Sequence, residues 1–321
     1  MEDSLNTAYD DAFRTMIEKC DDLVIPFLNY MFGEHFTEND QIIRTSNEEF
    51  SQKEDGVIKK RITDSQLTIV SEGIRKRYHV ECESSVKTGS VLVRVFEYGA
   101  MMALDDAKLS EDELELVVDF PHTGVLLLRS GELVPNTMRI RIITPNGEGC
   151  SYQVPVMKES DFSLKDIFDN KLYFLIPFYL FNYEKNLGEI DNDEKLMLDL
   201  LKEYNEIAEK LDCLVETGNL FSRSRYVIIQ MIKRVADKIA MRHSNVKQKV
   251  GDLMGGHVIN LDIFQAEDKA EARGKAIGKT MGADMLASLL RILVPGSSEY
   301  EAALNGPAEV REELFKKYNI G

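Results

Sequence analysis

Cysteine is scarce in this chain. Its four residues, Cys20, Cys82, Cys150 and Cys213, lie far apart with no Cys-x-x-Cys pair. That supports neither a disulfide scaffold nor a zinc cluster and makes a reducing cytosol the expected compartment. The five histidines (His35, His79, His122, His243, His257) include no His-x-x-x-His pair, which removes zinc-hydrolase readings. No Ser-His or Cys-His triad can be nominated. Long apolar runs are also missing. The longest, Leu172 to Phe181, is about half the roughly 20 residues a spanning helix needs, so no membrane span is expected. The opening MEDSLNTAYDD is acidic and has no hydrophobic core, so no secretory signal is expected there. Excess positive charge is lacking too. The net charge of −16 opposes indiscriminate coating of phosphate backbones.

What is present is ordinary globular composition: 321 residues, 44% hydrophobic and 29% charged, which excludes disorder and fibrous repeats and is enough for about two domains. Ala8/Tyr9, Ala12/Phe13 and Met16/Ile17 recur at helical spacing, and Leu23 to Phe32 makes a second helix. Extended stretches follow at Gln41 to Phe50, Arg61 to Val70 and Arg77 to Ser85, the last two separated by the turn-like Ser71-Glu72-Gly73. A helix over Val91 to Leu104 then precedes strands at Glu113 to Phe120 and Val125 to Arg129. The order is α, β, β, β, α, β. Asn146-Gly147 marks a hairpin between Met138 to Thr144 and Cys150 to Val156. From Ser163 the pattern turns helical, with Asp191-Asn192-Asp193 as a cap for a stretch to Val215 and Gly218-Asn219 before another to Arg242. The expected domains are 1–185, a helical domain 186–265, and a charged linker with a short helical tail, 266–321.

Charge is unevenly spread. From Phe221 to Val250 eight Lys and Arg, among them Arg223, Lys233, Arg234 and Lys238, stand against Asp237 alone. The stretch is either a solvated face balancing an acidic body or a phosphate-binding face. Carboxylates gather on the strands: Asp64 on one, and Glu81 and Glu83 on the same face of the next, by alternation. Two like charges two residues apart are costly unless solvated or holding a cation, for which hard oxygens suit magnesium or manganese. The spacing leaves an acidic edge strand equally open. Gly274-Lys275-Ala276-Ile277-Gly278-Lys279-Thr280 imitates a phosphate loop, but has three residues between the glycines where four are needed, and no strand before it.

The run Tyr9-Asp10-Asp11-Ala12-Phe13-Arg14, then Asp64, then Glu81-Cys82-Glu83-Ser84, then Arg94-Val95-Phe96-Glu97-Tyr98 resembles the PD-(D/E)XK nuclease superfamily. Within it the chain looks most similar to the Rpn-type recombination-promoting nucleases, also described as PD-(D/E)XK nuclease family transposases. The resemblance covers residues 1–185, including Leu175 to Tyr183, and the helical remainder resembles that family's variable C-terminal part. It implies an α+β, restriction-endonuclease-like αβββαβ core with an appended hairpin, and magnesium- or manganese-dependent hydrolysis of DNA. Asp64 and Glu81 then take the motif's metal-ligand positions, Asp10 the N-terminal acidic position that orients water, and Arg94 and Tyr98 the helix that contacts phosphate or braces the site.

The chain departs from that pattern twice. Thr63 stands where the motif has proline, and Glu83 where the superfamily has lysine and this family often glutamine. A carboxylate there opposes developing negative charge unless a second cation sits on it. Lys59, Lys60, Arg61, Arg75, Lys76 and Arg77 flank the motif strands as candidates for a migrated cation. Three readings follow: a cytoplasmic metal-dependent DNA endonuclease, a catalytically weakened module that binds DNA or protein through Arg223, Lys233 and Arg234, and a scaffold that self-associates through its C-terminal helices.

Overall fold

The computed structural model describes residues 3–44, 49–54, 57–62, 65–84, 88–129, 134–257, 285–286, 288–305, 308–318 and 320. The chain divides into two compact units, Met1–Val258 and Ile259–Gly321.

The first unit opens with helices α1 (Asp3–Lys19) and α2 (Asp21–Phe32). Strand β1 (Gln41–Arg44) comes next, followed by a separate ribbon of β2 (Glu49–Glu54) and β3 (Val57–Ile62). Then come β4 (Gln66–Ser71), β5 (Ile74–Glu83) and helix α3 (Thr88–Asp105). A second ribbon, β6 (Lys108–Leu109) with β7 (Leu116–Val117), precedes β8 (His122–Leu127), β9 (Thr137–Ile143) and β10 (Gly149–Lys158). Six strands make one mixed sheet in the order β1-β4-β5-β8-β10-β9. The β5-β8 and β8-β10 pairs are parallel and the others antiparallel. The fold is therefore mixed α/β. The continuous strands expected over 41–50 and 61–70 are each broken, β2 and β3 turning to each other instead of joining the main sheet.

Turn chemistry sets the local registers. Ser71 pairs with Ile74, leaving a two-residue loop of Glu72 and Gly73 whose φ angles of 50° and 79° are both positive, as a tight antiparallel reversal requires. Gly147, at φ 85°, does the same between β9 and β10, where Ile143 pairs with Gly149.

Alternation sorts β5 into two faces. Tyr78, Val80 and Cys82 enter the main core with α1 and α2, while Val125 and Leu127 of the neighbouring β8 pack beneath Val91 and Val95 of α3 on the opposite face. The main core extends through α4 (Leu164–Asp169), a 3-10 helical run over Tyr173–Asn186, α5 (Leu187–Ile190), α6 (Glu194–Glu216), α7 (Ser222–Ile239) and α8 (Ser244–Gly256). Helix α7 packs on α1 and on the 3-10 run. Residues on both sides of the expected boundary at 185 share one continuous core, because α7 packs on α1 and on the 3-10 run, and α6 and α8 pack on α7. Asp193 caps α6, its Oδ1 accepting from the Lys195 and Leu196 amides at 2.8 and 3.0 Å. Asp193→Ala should cost about 1 kcal/mol, read as a lower urea midpoint at unchanged slope.

Glu159 is fully buried between β10 and the 3-10 run. Asn182 Nδ2 donates to its Oε1 at 2.9 Å, and its Oε2 has no protein partner. Burial holds the carboxyl well above the ordinary carboxylate range. The unfolded chain releases this proton near the ordinary value of about 4.3, whereas the folded chain keeps it. Above that pH the folded state binds more protons, so stability falls as pH rises. Glu159→Gln keeps the acceptor for Asn182 and removes the titration. It should flatten that fall, seen as a narrower gap between urea midpoints at mildly acidic and mildly alkaline pH, and an unchanged gap would refute the assignment.

The second unit has a small core of Leu289, Leu293, Ala303 and Leu314 around α9 (Ser298–Asn305) and α10 (Ala308–Lys317). The Gly274 to Thr280 stretch lies outside the described residues. Among the described residues no helix is long and apolar enough to cross a membrane.

Candidate functional site

The acidic strand residues meet α3 near the C-terminal end of β5. Glu81 is 2% exposed and Glu83 7%. Arg94, from α3, places Nε 3.4 Å from Glu81 Oε2 and pairs its Nη2 with Glu83 Oε1. His79 Nε2 lies 2.8 Å from Glu81 Oε1, and the Tyr98 ring, one turn along α3 from Arg94, meets the His79 ring edge-on at 5.6 Å. Strand alternation brings His79, Glu81 and Glu83 to one face, and helical i,i+4 spacing brings Arg94 and Tyr98 together over them.

The environments of the carboxyls differ. Burial pushes Glu81 up, but the His79 hydrogen bond and the charges of His79 and Arg94 outweigh it and hold the group below the ordinary range. Glu83 goes the other way, raised by burial against the pull of Arg94, with the Glu81 charge adding to the rise. Asp10, on α1, is raised to about 6 by burial, opposed by Arg14, with the Glu83, Asp11 and Glu81 charges adding. Asp10 therefore senses both strand carboxylates. The three acids with Arg94 form one electrostatic cluster in which the ionised form is favoured at one member and disfavoured at two.

Asp64 lies outside the described residues. Ser65, next to it in the chain, is buried and locked to β5: its Oγ donates to the Val80 carbonyl at 3.0 Å and accepts from the Val80 amide at 3.0 Å. Lys59, Lys60 and Arg61 have side chains outside those described. Arg75, Lys76 and Arg77 lie near the start of β5, about 13 to 20 Å from Glu81 at roughly 3.3 Å per residue. Lys76 pairs with Glu34 at 2.8 Å and Arg77 with Asp106 at 2.7 Å, so neither cation migrates to the carboxylates. Arg94 is the cation that faces them.

Arg223, Lys233 and Arg234 lie on α7, across the main core from α3. Arg234 Nη2 bonds Asp11 Oδ2 at 2.7 Å, which ties α7 to the helix that carries Asp10. Arg225, from the same basic stretch, is 3% exposed and spent on Asp212 and the His257 carbonyl.

One residue of the site escaped the sequence reading. Arg129, just beyond β8, donates from Nη1 to the Ser84 carbonyl at 2.8 Å and from Nη2 to Glu184 Oε1 at 2.6 Å. Its guanidinium also lies 4.7 Å from the Phe181 ring centre and 5.7 Å from that of Tyr9. It joins the residues adjoining Glu83 and Asp10 to the 3-10 run. No spacing in the chain signals this, since the partners come from three separate segments.

Carboxylate oxygens are the donors a hard divalent cation takes, and the mutual repulsion at Asp10, Glu81 and Glu83 would be relieved by one, so the cluster fits such an ion in chemical kind. Among the described residues no group of three or more His, Cys, Asp or Glu side chains is arranged to hold a metal ion. No family model matches the chain, and no curated protein or solved structure matches it either.

Proposed function

We propose that the chain is a metal-dependent DNA endonuclease of the PD-(D/E)XK type, serving recombination or transposition in the cytoplasm. The observation that carries this reading is the buried carboxylate pair Glu81 and Glu83 at the end of a central strand, with Asp10 from α1 within electrostatic reach and Arg94 above. With the β2-β3 ribbon set aside, the run α1, α2, β1, β4, β5, α3, β8 supports a restriction-endonuclease-like core. Cys20, Cys82, Cys150 and Cys213 form no disulfide, which supports a reducing compartment.

In this reading Glu81 and Asp64 hold magnesium or manganese. The ion supplies charge neutralisation at the scissile phosphate and a more acidic bound water. His79 fixes the Glu81 carboxylate through its 2.8 Å contact and leaves Oε2 toward Arg94. Asp10 orients the attacking water, its carboxyl poised by its surroundings near the pH at which proton acceptance is efficient. Arg94 takes the part of the motif's missing lysine and offers a guanidinium to phosphate oxygens.

The pairing of Arg94 with Glu83 favours a second reading, since it neutralises the carboxylates from within the chain. The protein is then a weakened nuclease fold that binds DNA through Arg223, Lys233 and Arg234. Supercoiled plasmid incubated with the protein and magnesium, manganese or chelator separates the two. Metal-dependent nicking supports the enzyme. Absence of nicking with either metal sinks it, and the binding reading then requires that Arg223→Glu with Lys233→Glu lower DNA affinity and its salt slope.

A further inference from the structure

The β6-β7 ribbon is an arm with an uncovered apolar row. Leu109 and Leu116 oppose each other in its ladder and are 59% and 54% exposed, and Leu114 is 86% exposed. Leu109 and Leu116 are opposed and so share a face, and Leu114 lies exposed in the loop that joins the two strands. The arm is preorganised. The Ser110 amide donates to the Glu115 carbonyl at 2.9 Å, the Glu115 amide to Ser110 Oγ at 3.0 Å, and the Leu114 amide to Asp112 Oδ1 at 3.2 Å. Arg77 anchors both feet through Asp106 and the Asp119 carbonyl. An ordered element that exposes apolar side chains marks an interaction site.

Charge identifies the occupant. From Asp105 to Asp119 the arm carries seven Asp and Glu against Lys108 alone, so two arms repel each other. The opposite balance lies over Phe221 to Val250, with eight Lys and Arg against one Asp, although Arg225 is buried on Asp212 and Arg234 and Lys247 pair with Asp11 and Asp237. That stretch also has uncovered apolar side chains, Phe221 at 60% and Met241 at 58% exposure, at the two ends of α7. Arg242, next to Met241 in the chain, and Lys249 on α8 are exposed.

We propose that the arm of one copy docks on the α7-α8 face of a second copy. The two surfaces cannot meet within one molecule. Phe120, at the foot of the arm, stacks on Phe96 of α3 at 6.0 Å, on the sheet face that bears Val125 and Leu127. Helix α7 packs with α1 on the face that bears Leu126 and Leu128. The contact therefore joins two copies, either reciprocally across a two-fold axis or head-to-tail into rings or open chains.

Multi-angle light scattering on the full chain, across concentration and ionic strength, tests this. Wild type should form dimers or larger species that recede as salt screens the charges. Glu111→Lys with Glu115→Lys reverses the arm, Arg242→Glu with Lys249→Glu reverses the helical face, and all four positions are exposed, so folding is spared. Each double variant alone should fall to the mass of one chain, and mixing the two should restore association, since each supplies the surface the other has lost. Leu114→Ser should weaken wild-type association without a charge change. A wild type that stays monomeric throughout, or an assembly that survives either reversal, overturns the proposal. Neither result bears on nicking by the monomer, so this reading and the nuclease reading fail separately.

Discussion

Glu81→Gln should abolish metal-dependent plasmid nicking, with a loss of about 100- to 1,000-fold or more, the scale seen when one group that stabilises transition-state charge is removed. Glutamine keeps the volume of the buried side chain and an oxygen for His79 Nε2, so the packing around a residue 2% exposed is conserved. What disappears is the negative charge, the one carboxyl of the cluster whose surroundings favour ionisation. Arg94 keeps its partner Glu83, so the guanidinium stays paired. Thermal unfolding measured beside the activity separates a chemical loss from a folding one. A Glu81→Gln protein that nicks as wild type does removes Glu81 from the chemistry and the nuclease reading with it.

Phe174→Ala should lower stability by about 3–5 kcal/mol, the range for deleting a fully buried aromatic ring. Phe174 has no exposed surface, stacks on Phe27 with ring centres 4.5 Å apart, and meets Phe13 edge-on at 5.3 Å. Its ring therefore closes the contact of three elements, α1, α2 and the 3-10 run, where neighbouring backbones are already held and collapse into the gap is limited. The aromatic contacts add to the area term. Urea unfolding followed by far-UV circular dichroism should show a lower midpoint for the first unit, and a loss below about 1 kcal/mol would show that the core relaxes around the gap.

Local rules were legible in the chain because local chemistry enforces them. Asn146-Gly147 places its hairpin, Asp193 caps its helix, and alternation correctly separates Cys82, which enters the core, from Glu81 and Glu83. The stretch from Tyr173 to Asn186 resisted assignment because an apolar run with Pro177 at its centre has no polar residues to reveal a period, and its 3-10 turns follow from the surrounding core. The boundary at 185 failed for a related reason: element type changes there, but the apolar stripes of α6 to α8 face the same core as α1. Of the site, the shared face of Glu81 and Glu83 follows from strand alternation, whereas Asp10 and Arg94 are named only through the resemblance. The reach of Arg94 to both Glu81 and Glu83, and the role of Arg129, depend on contacts between segments that no spacing encodes.

The seat of α1 on α7 also sets a timetable. The Asp11 to Arg234 bond spans 223 residues, and at about 5–20 residues per second a ribosome takes roughly 10 to 45 s to make the second partner after the first. Throughout that interval α1 lacks one of the helices that pack on it. A ribosome stalled before α7 therefore leaves a nascent chain whose N-terminal helix is uncovered on the side that α7 takes.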